Sequence, residues 1–200
     1  SLVADLNADV AYFDSSLVSN EYACSMADSL VMMLNGDRSN TNEIYFLARS
    51  VTANFSYFFS NEKTFEQMKS SDALKLISPR SLLDSISDYY TSIQWLTTHT
   101  ELERMKLNDI QLANSQLFNS GEFQKMMHIK YPEYQKPRIT INRPEGNPAL
   151  LTNDFNKIND VAMAYHYFYS TTSFYDRTAL QINQKGIRLI ALIQKEYRVK

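Results

Sequence analysis

The sequence predicts an all-α fold, an elongated antiparallel helical bundle with long first, fourth and last helices and a Pro-rich arm at about 131–148. Three observations predict it. Only four glycines occur in 200 residues, and four of the five prolines (Pro132, Pro137, Pro144 and Pro148) crowd into the arm, so the rest of the chain holds few strong helix breakers. Apolar residues recur at alternating spacings of four and three along three long segments, a period of about 3.5 residues that marks a helical seam. Cap-like residues stand at the ends of these segments.

The first helix runs from about residue 2 to Leu34 on the seam Leu6, Val10, Phe13, Leu17, Asn20, Cys24, Ala27, Val31 and Leu34, and Asn35-Gly36 stops it. Asn20 either fixes register from within the seam or lies at its edge in water. Asn40 to Glu43 has the pattern of a capping box, and Ile44, Leu47, Val51, Phe55 and Phe58 extend a second helix to Phe59. Phe65, Met68, Leu74 and Ile77 indicate a short or broken third helix.

Ser78-Pro79 opens the fourth helix, because serine caps well and proline at the first helical position loses no needed hydrogen bond. Its seam of Leu82, Ile86, Tyr89, Ile93 and Leu96 reads as shifting phase at Thr97 to Thr100, where a kink is expected, before Leu107, Ile110 and Leu117 resume. Phe123, Met126 and Met127 mark a short fifth helix. The arm follows and holds one alternating piece, 138–142, with the pattern of an extended strand; it reads as an ordered arm on the bundle, with a disordered loop as the alternative. Asn147-Pro148 repeats the cap-plus-proline device, and Val161, Tyr165, Phe168, Thr172, Tyr175, Ala179, Ile182, Gly186, Leu189 and Ile193 carry the last seam. A helix of that extent is roughly 70 Å long, so an elongated domain is expected, or a bend near Gly186. Helices one, four and six form the main bundle in this reading, with the second filling the fourth side.

A chain of this length forms one domain, residues 1–200. With Cys24 as the sole cysteine no intramolecular disulfide can form, and its place on an apolar seam reads as inert packing. A net charge of −2 gives no electrostatic footprint for nucleic acid. The charge is unevenly spread: residues 1–37 carry six acids and no Lys or Arg, whereas 177–200 carry Arg177, Lys185, Arg188, Lys195, Arg198 and Lys200 against Glu196 alone. Lys195, Arg198 and Lys200 form a candidate membrane-proximal basic cluster, the alternative being a solvated face partly paired with the acids of the first helix.

Catalytic patterns are missing: there is no Gly-x-Ser-x-Gly elbow, no phosphate-cradling glycine loop and no dinucleotide fingerprint. His99, His128 and His166 are scattered and lack the Glu-x-x-His pairing of di-iron bundles, so no metal and no cofactor is expected. The densest aromatic run, Tyr165 to Tyr169 with Phe174-Tyr175, nominates Tyr165, His166, Tyr169 and Tyr175 as a candidate ligand or partner surface. A helix surrounded by neighbours in mid-bundle explains the same run.

The stretch Thr64-Phe65-Glu66-Gln67-Met68-Lys69-Ser70-Ser71, with Leu74, Leu76-Ile77, Leu82, Ile86 and Tyr89-Tyr90, resembles a family of uncharacterised bacterial single-span membrane-anchored proteins. The likeness covers roughly residues 62–92, and the acidic first helix agrees in position. Asp72 stands where the pattern has a glycine turn and Ser78 where it has asparagine. The resemblance implies a membrane helix upstream of Ser1 and a domain on the extracytoplasmic, periplasmic side; it transfers no catalytic residue. A start at Ser1-Leu2 running straight into seam pattern likewise reads as a chain cut from something longer. The expected function is therefore a non-catalytic scaffold or protein-interaction module of a membrane-anchored protein, with a protein partner, no nucleic acid and a homo-oligomer compatible. The alternative is a small-molecule-sensing bundle with a ligand groove near Tyr165–Tyr175.

Overall fold

The seams become helices. The computed structural model describes residues 1–127 and 141–197. Among them the regular structure is all helical: α1 (Leu2–Asn35), α2 (Thr41–Asn54), α3 (Lys63–Ser70), a 3-10 turn (Ala73–Leu76), α4 (Arg80–Leu117), α5 (Ser120–Lys125) and α6 (Phe155–Tyr197). Residues 131–140 of the arm, and with them most of the expected strand at 138–142, lie outside the described residues.

Two compact units share the chain: residues 1–17, 57–100 and 175–200 form the first, and 18–56 and 101–174 the second. Helices α1, α4 and α6 each give one part to each unit. The core of the first is built by Leu6 and Phe13 of α1, Leu82, Ile86, Tyr89, Ile93 and Leu96 of α4, and Ala179, Ile182, Leu189 and Ile193 of α6, with Phe58 closing over Phe13 at 5.4 Å. In the second, Ala23, Ala27, Leu30 and Leu34 of α1 pack with Ile44, Leu47, Ala48 and Val51 of α2, Ile110 and Leu117 of α4, and Val161, Tyr165 and Phe168 of α6. Each large apolar side chain removed from water contributes about 1.5–3 kcal/mol.

Partner positions give the directions of the helices. In the first unit Lys185 Nζ lies 3.0 Å from Ser92 Oγ, whereas Tyr175 faces Trp95 at 6.2 Å. Residue number therefore falls on α6 as it rises on α4, and the two run antiparallel. In the same unit Asn183 Nδ2 donates to Asp14 at 2.6 Å, and Val10 lies against Gly186, which sets α6 antiparallel to α1 as well.

The end of α2, the middle of α4 and the start of α6 differ from the sequence expectation. The second helix ends at Asn54, not Phe59, because Phe55 turns extended (φ −66°, ψ 137°) and packs against Phe168 at 5.3 Å. The buried Asn20 accepts the Ser56 amide proton at 2.9 Å, so of its two readings the seam position is the one realised. The seam of α4 does not shift phase: Leu96, Glu103, Ile110 and Leu117 follow at sevens, all buried, and the polar Glu103 conceals the continuity. The helix is unbroken there, its threonines bonding back to carbonyls four residues earlier, as Thr98 does to Gln94 at 2.8 Å.

The last helix begins at Phe155 under an Asp154 cap, not at Asn147-Pro148. The expected cap residue is engaged elsewhere. Asn147 Oδ1 accepts from the Asn42 amide at 2.8 Å, its Nδ2 donates to the Ser39 carbonyl at 2.7 Å, and Asn42 Nδ2 in turn reaches the Pro144 and Gly146 carbonyls. Arg143 pairs with Glu43 and covers the Phe46 ring at 4.1 Å. The described part of the arm, 141–148, is thus stitched to the start of α2 without regular secondary structure.

Candidate functional site

The four aromatic positions nominated by the sequence do not share a face. Tyr165 is fully buried in the second unit, where its hydroxyl donates to the Ala48 carbonyl at 3.2 Å and accepts from Asn114 Nδ2 at 2.9 Å. That burial holds its pKa well above the ordinary tyrosine value. His166 and Tyr169 are exposed on the same helix. Tyr175 is buried in the first unit beside Trp95 and His99. Lys195 is exposed near the end of α6, and Arg198 and Lys200 lie outside the described residues, as does His128.

What the structure does assemble is a cleft of about 310 Å³ in the second unit, lined by Arg49 and Thr52 of α2, Gln111, Asn114 and Ser115 of α4, Phe118 of the α4–α5 turn, and Ser120 and Phe123 of α5. Tyr165 underlies it through Asn114. One wall is aromatic: Phe118 and Phe123 stack at 5.0 Å, and Tyr45 meets both edge-on at 4.9 and 5.7 Å. The Tyr45 hydroxyl fixes this wall, accepting from the Asn119 amide at 2.8 Å and donating to the Ala149 carbonyl at 3.1 Å.

Arg49 is the charged group of the cleft. Its guanidinium lies 5.5 Å over the Phe123 ring, Nη2 points at the Met127 thioether at 3.0 Å, and Nε is buried with no hydrogen-bond partner among the described residues. A thioether is a weak acceptor, and a buried donor left unsatisfied costs about 1–3 kcal/mol. Burial accordingly depresses the pKa of the guanidinium, with Tyr165 acting in the opposite sense. Arginine still carries its charge throughout the accessible pH range. The cleft therefore offers one fixed positive charge, two amides, three hydroxyls and a flat apolar wall.

No family model, no curated protein and no solved structure matches the chain. Among the described residues no cluster of His, Cys, Asp and Glu has the arrangement of a metal site, and no helix is long and apolar enough to cross a membrane.

A second depression, about 280 Å³ in the first unit, is lined by Ser85, Asp88, Lys185, Arg188, Leu189 and Leu192. There Lys185 is already ion-paired with Asp88 at 2.8 Å. The first unit also holds a buried acid that an apolar pattern passes over. Asp9 Oδ1 accepts from the Asn61 amide at 2.6 Å and Oδ2 from the Tyr89 hydroxyl at 3.1 Å, while Asp5 receives Thr64 N at 3.1 Å. Burial raises the Asp9 pKa, and the neighbouring Asp5 and Glu62 add to the rise. These carboxylates hold the chain at the start of α3. Arg49 was equally invisible to seam analysis, since it stands off the Ile44, Leu47, Val51 face. The available hint was Tyr45, Arg49 and Thr52 at helical spacing, a second face of α2 with a large aromatic on it.

Proposed function

We propose that this chain is a non-catalytic recognition domain, carried on the extracytoplasmic side by a membrane-anchored protein, which reads a small molecule through the Arg49 cleft. The observation that carries the reading is the half-buried guanidinium, lacking a carboxylate partner among the described residues and opening on an aromatic wall and two amides. Specific small-molecule sites combine an apolar lining with a few polar groups in this way. A general acid or base works best with a pKa near the operating pH, and the lining consists of a guanidinium, amides, hydroxyls and phenyl rings. Binding is the chemistry such groups support. The anchor rests on the resemblance over residues 62–92.

Thermal unfolding with a panel of small metabolites tests the binding. A true ligand at about 100 times its Kd adds about 2.7 kcal/mol, which raises the midpoint of a chain of this size by roughly 5–10 °C. Arg49→Gln should abolish the rise. A panel in which nothing moves the wild type more than this variant would remove the reading. The anchor is tested apart from it: the native protein should stay with membranes through salt and alkali washes and leave only in detergent.

A protein-interaction role has one observation in its favour. Met105 and Leu112 of α4 and Tyr167 of α6 are exposed by 57%, 69% and 52%, and Lys106, 5.7 Å over Tyr167, brings the outer edges of the two helices together. A photo-crosslinker at position 112 should then yield one discrete adduct in cells, lost in Tyr167→Glu; no adduct would end this alternative.

A further inference from the structure

We infer that the ligand of the Arg49 cleft is a small organic carboxylate on a flat apolar body, its carboxylate seated on the guanidinium and its body against Phe118 and Phe123. The inference rests on the reading of this cleft as the recognition site and adds the chemical class of what enters it.

The charge requirement comes first. Arg49 is a cation whose Nη2 lies on the Met127 sulfur at 3.0 Å, and its Nε has no acceptor among the described residues. Nε and one Nη of a guanidinium present parallel N–H groups, a fork that matches the two oxygens of a carboxylate. An uncharged amide or alcohol fills at most part of that fork. A thioether on a three-rotor side chain is an exchangeable occupant: Met127 follows the end of α5, is only partly buried, and can rotate away as an oxyanion takes its place.

Size and lining select against a bare or highly charged anion. Among the described lining residues the guanidinium is the only ionised group, so a dianion such as phosphate would keep an uncompensated charge beside apolar walls. Inorganic anions also leave the Phe118–Phe123 pair, stacked at 5.0 Å with an interplanar angle of 20°, without anything to cover. A planar apolar body stacks there, and Gln111, Asn114 and Ser115 along α4 lie within the cleft to meet a polar substituent. The volume of about 310 Å³ is at the small end for ligand pockets, which sets the scale at one ring or a short branched chain.

Amide and arginine Nε–Hε chemical shifts of the whole domain, followed by NMR during titration, test this with benzoate, butyrate, benzamide and inorganic phosphate as the probes. Benzoate should shift the Arg49 Nε–Hε signal together with the Phe118 and Phe123 amides, and bind at least about tenfold more tightly than its neutral isostere benzamide. Arg49→Gln should weaken benzoate by about tenfold or more and leave benzamide unchanged; Arg49→Lys, which keeps the charge and loses the fork, should fall between. Met127→Ala should tighten benzoate by about two- to fivefold, because the competing sulfur is gone. Benzamide binding as well as benzoate, or phosphate binding better than either carboxylate, would overturn the ligand class while leaving the cleft a recognition site. Absence of any shift at Arg49, Phe118 and Phe123 with all four probes would overturn both. Should Arg49→Gln fail to fold, the wild-type ranking of benzoate against benzamide and phosphate decides the matter alone.

Discussion

Two donors, the Asn61 amide and the Tyr89 hydroxyl, hold the Asp9 carboxylate inside the first unit, yet burial still outweighs them and lifts its pKa. The native state thus keeps this proton at a pH where the unfolded chain, with a carboxyl pKa of about 3.9, has lost it. Native protein binds more protons than unfolded protein across that window, so this group's contribution to stability falls as pH rises through it and recovers on acidification. The stability difference between wild type and Asp9→Asn, followed by urea denaturation from neutral pH downward, should move in favour of the wild type as pH falls. A pH-independent difference would mean that Asp9 is not the group concerned. Asn keeps an oxygen for the Asn61 amide and lets the Tyr89 hydroxyl turn from donor to acceptor; Asp9→Ala leaves both donors unpaired and should cost about 1–3 kcal/mol. Asp72 presents a simpler case. It adopts the left-handed conformation at φ 59°, and its ion pair with Lys75 is exposed. Asp72→Gly should stabilise the domain by roughly 0.5–1 kcal/mol, because relief of the left-handed strain exceeds the loss of a surface pair and the added freedom of the unfolded chain. A lower urea midpoint in that variant would contradict this account.

At the scale of elements, Gly186 decides how closely α6 packs in the first unit. A Cβ added there would lie 3.2 Å from the Tyr89 ring and 3.3 Å from Val10 Cγ2, both tighter than ordinary contact, and the Tyr89 ring is tethered through its hydroxyl to Asp9. Gly186→Ala should therefore destabilise by up to about 2 kcal/mol, since an overpacking cost of about 1–3 kcal/mol outweighs a propensity gain of about 1 kcal/mol. A rise in thermal midpoint would show that α6 has slack there. The same competition between local preference and tertiary demand ends α2 early and starts α6 late. Phe55 leaves the helix to pack on Phe168, and Asn20 accepts the Ser56 amide freed by the break. Asn147 has the local form of a helix cap but serves α2 instead, through the Asn42 amide and the Ser39 carbonyl.

At the scale of the molecule, both units are discontinuous in sequence, and each takes part of its core from α1, α4 and α6. Neither can be excised as one contiguous fragment. A chain ending at residue 127 keeps α1 to α5 but loses Ala179, Ile182, Leu189 and Ile193 from one core and Val161, Tyr165 and Phe168 from the other. Because burial of helix faces supplies most helical stability in proteins, that fragment should lose cooperative thermal unfolding and much of its far-UV helical signal. A fragment that melts with the amplitude expected for its length would show that α6 is dispensable to one of the cores.

Local chemistry in the chain settled which segments are helical and which edges of them are buried. All ten seam positions assigned to α6 are buried, since a strict alternation of fours and threes leaves a helix one stripe to hide. Polar residues concealed the rest: Asp9 and Ser16 lie in the buried stripe of α1, and Glu103 and Asn114 in that of α4, where hydropathy reads a gap. The Arg49 cleft had no counterpart in any local pattern. It exists because α2, α4 and α5 bring an arginine, two amides and a stacked phenylalanine pair together from positions as far apart as 49 and 123. Periodicity along one helix encodes what that helix buries; which groups from different helices converge is decided by packing, and only the tertiary structure carries that information.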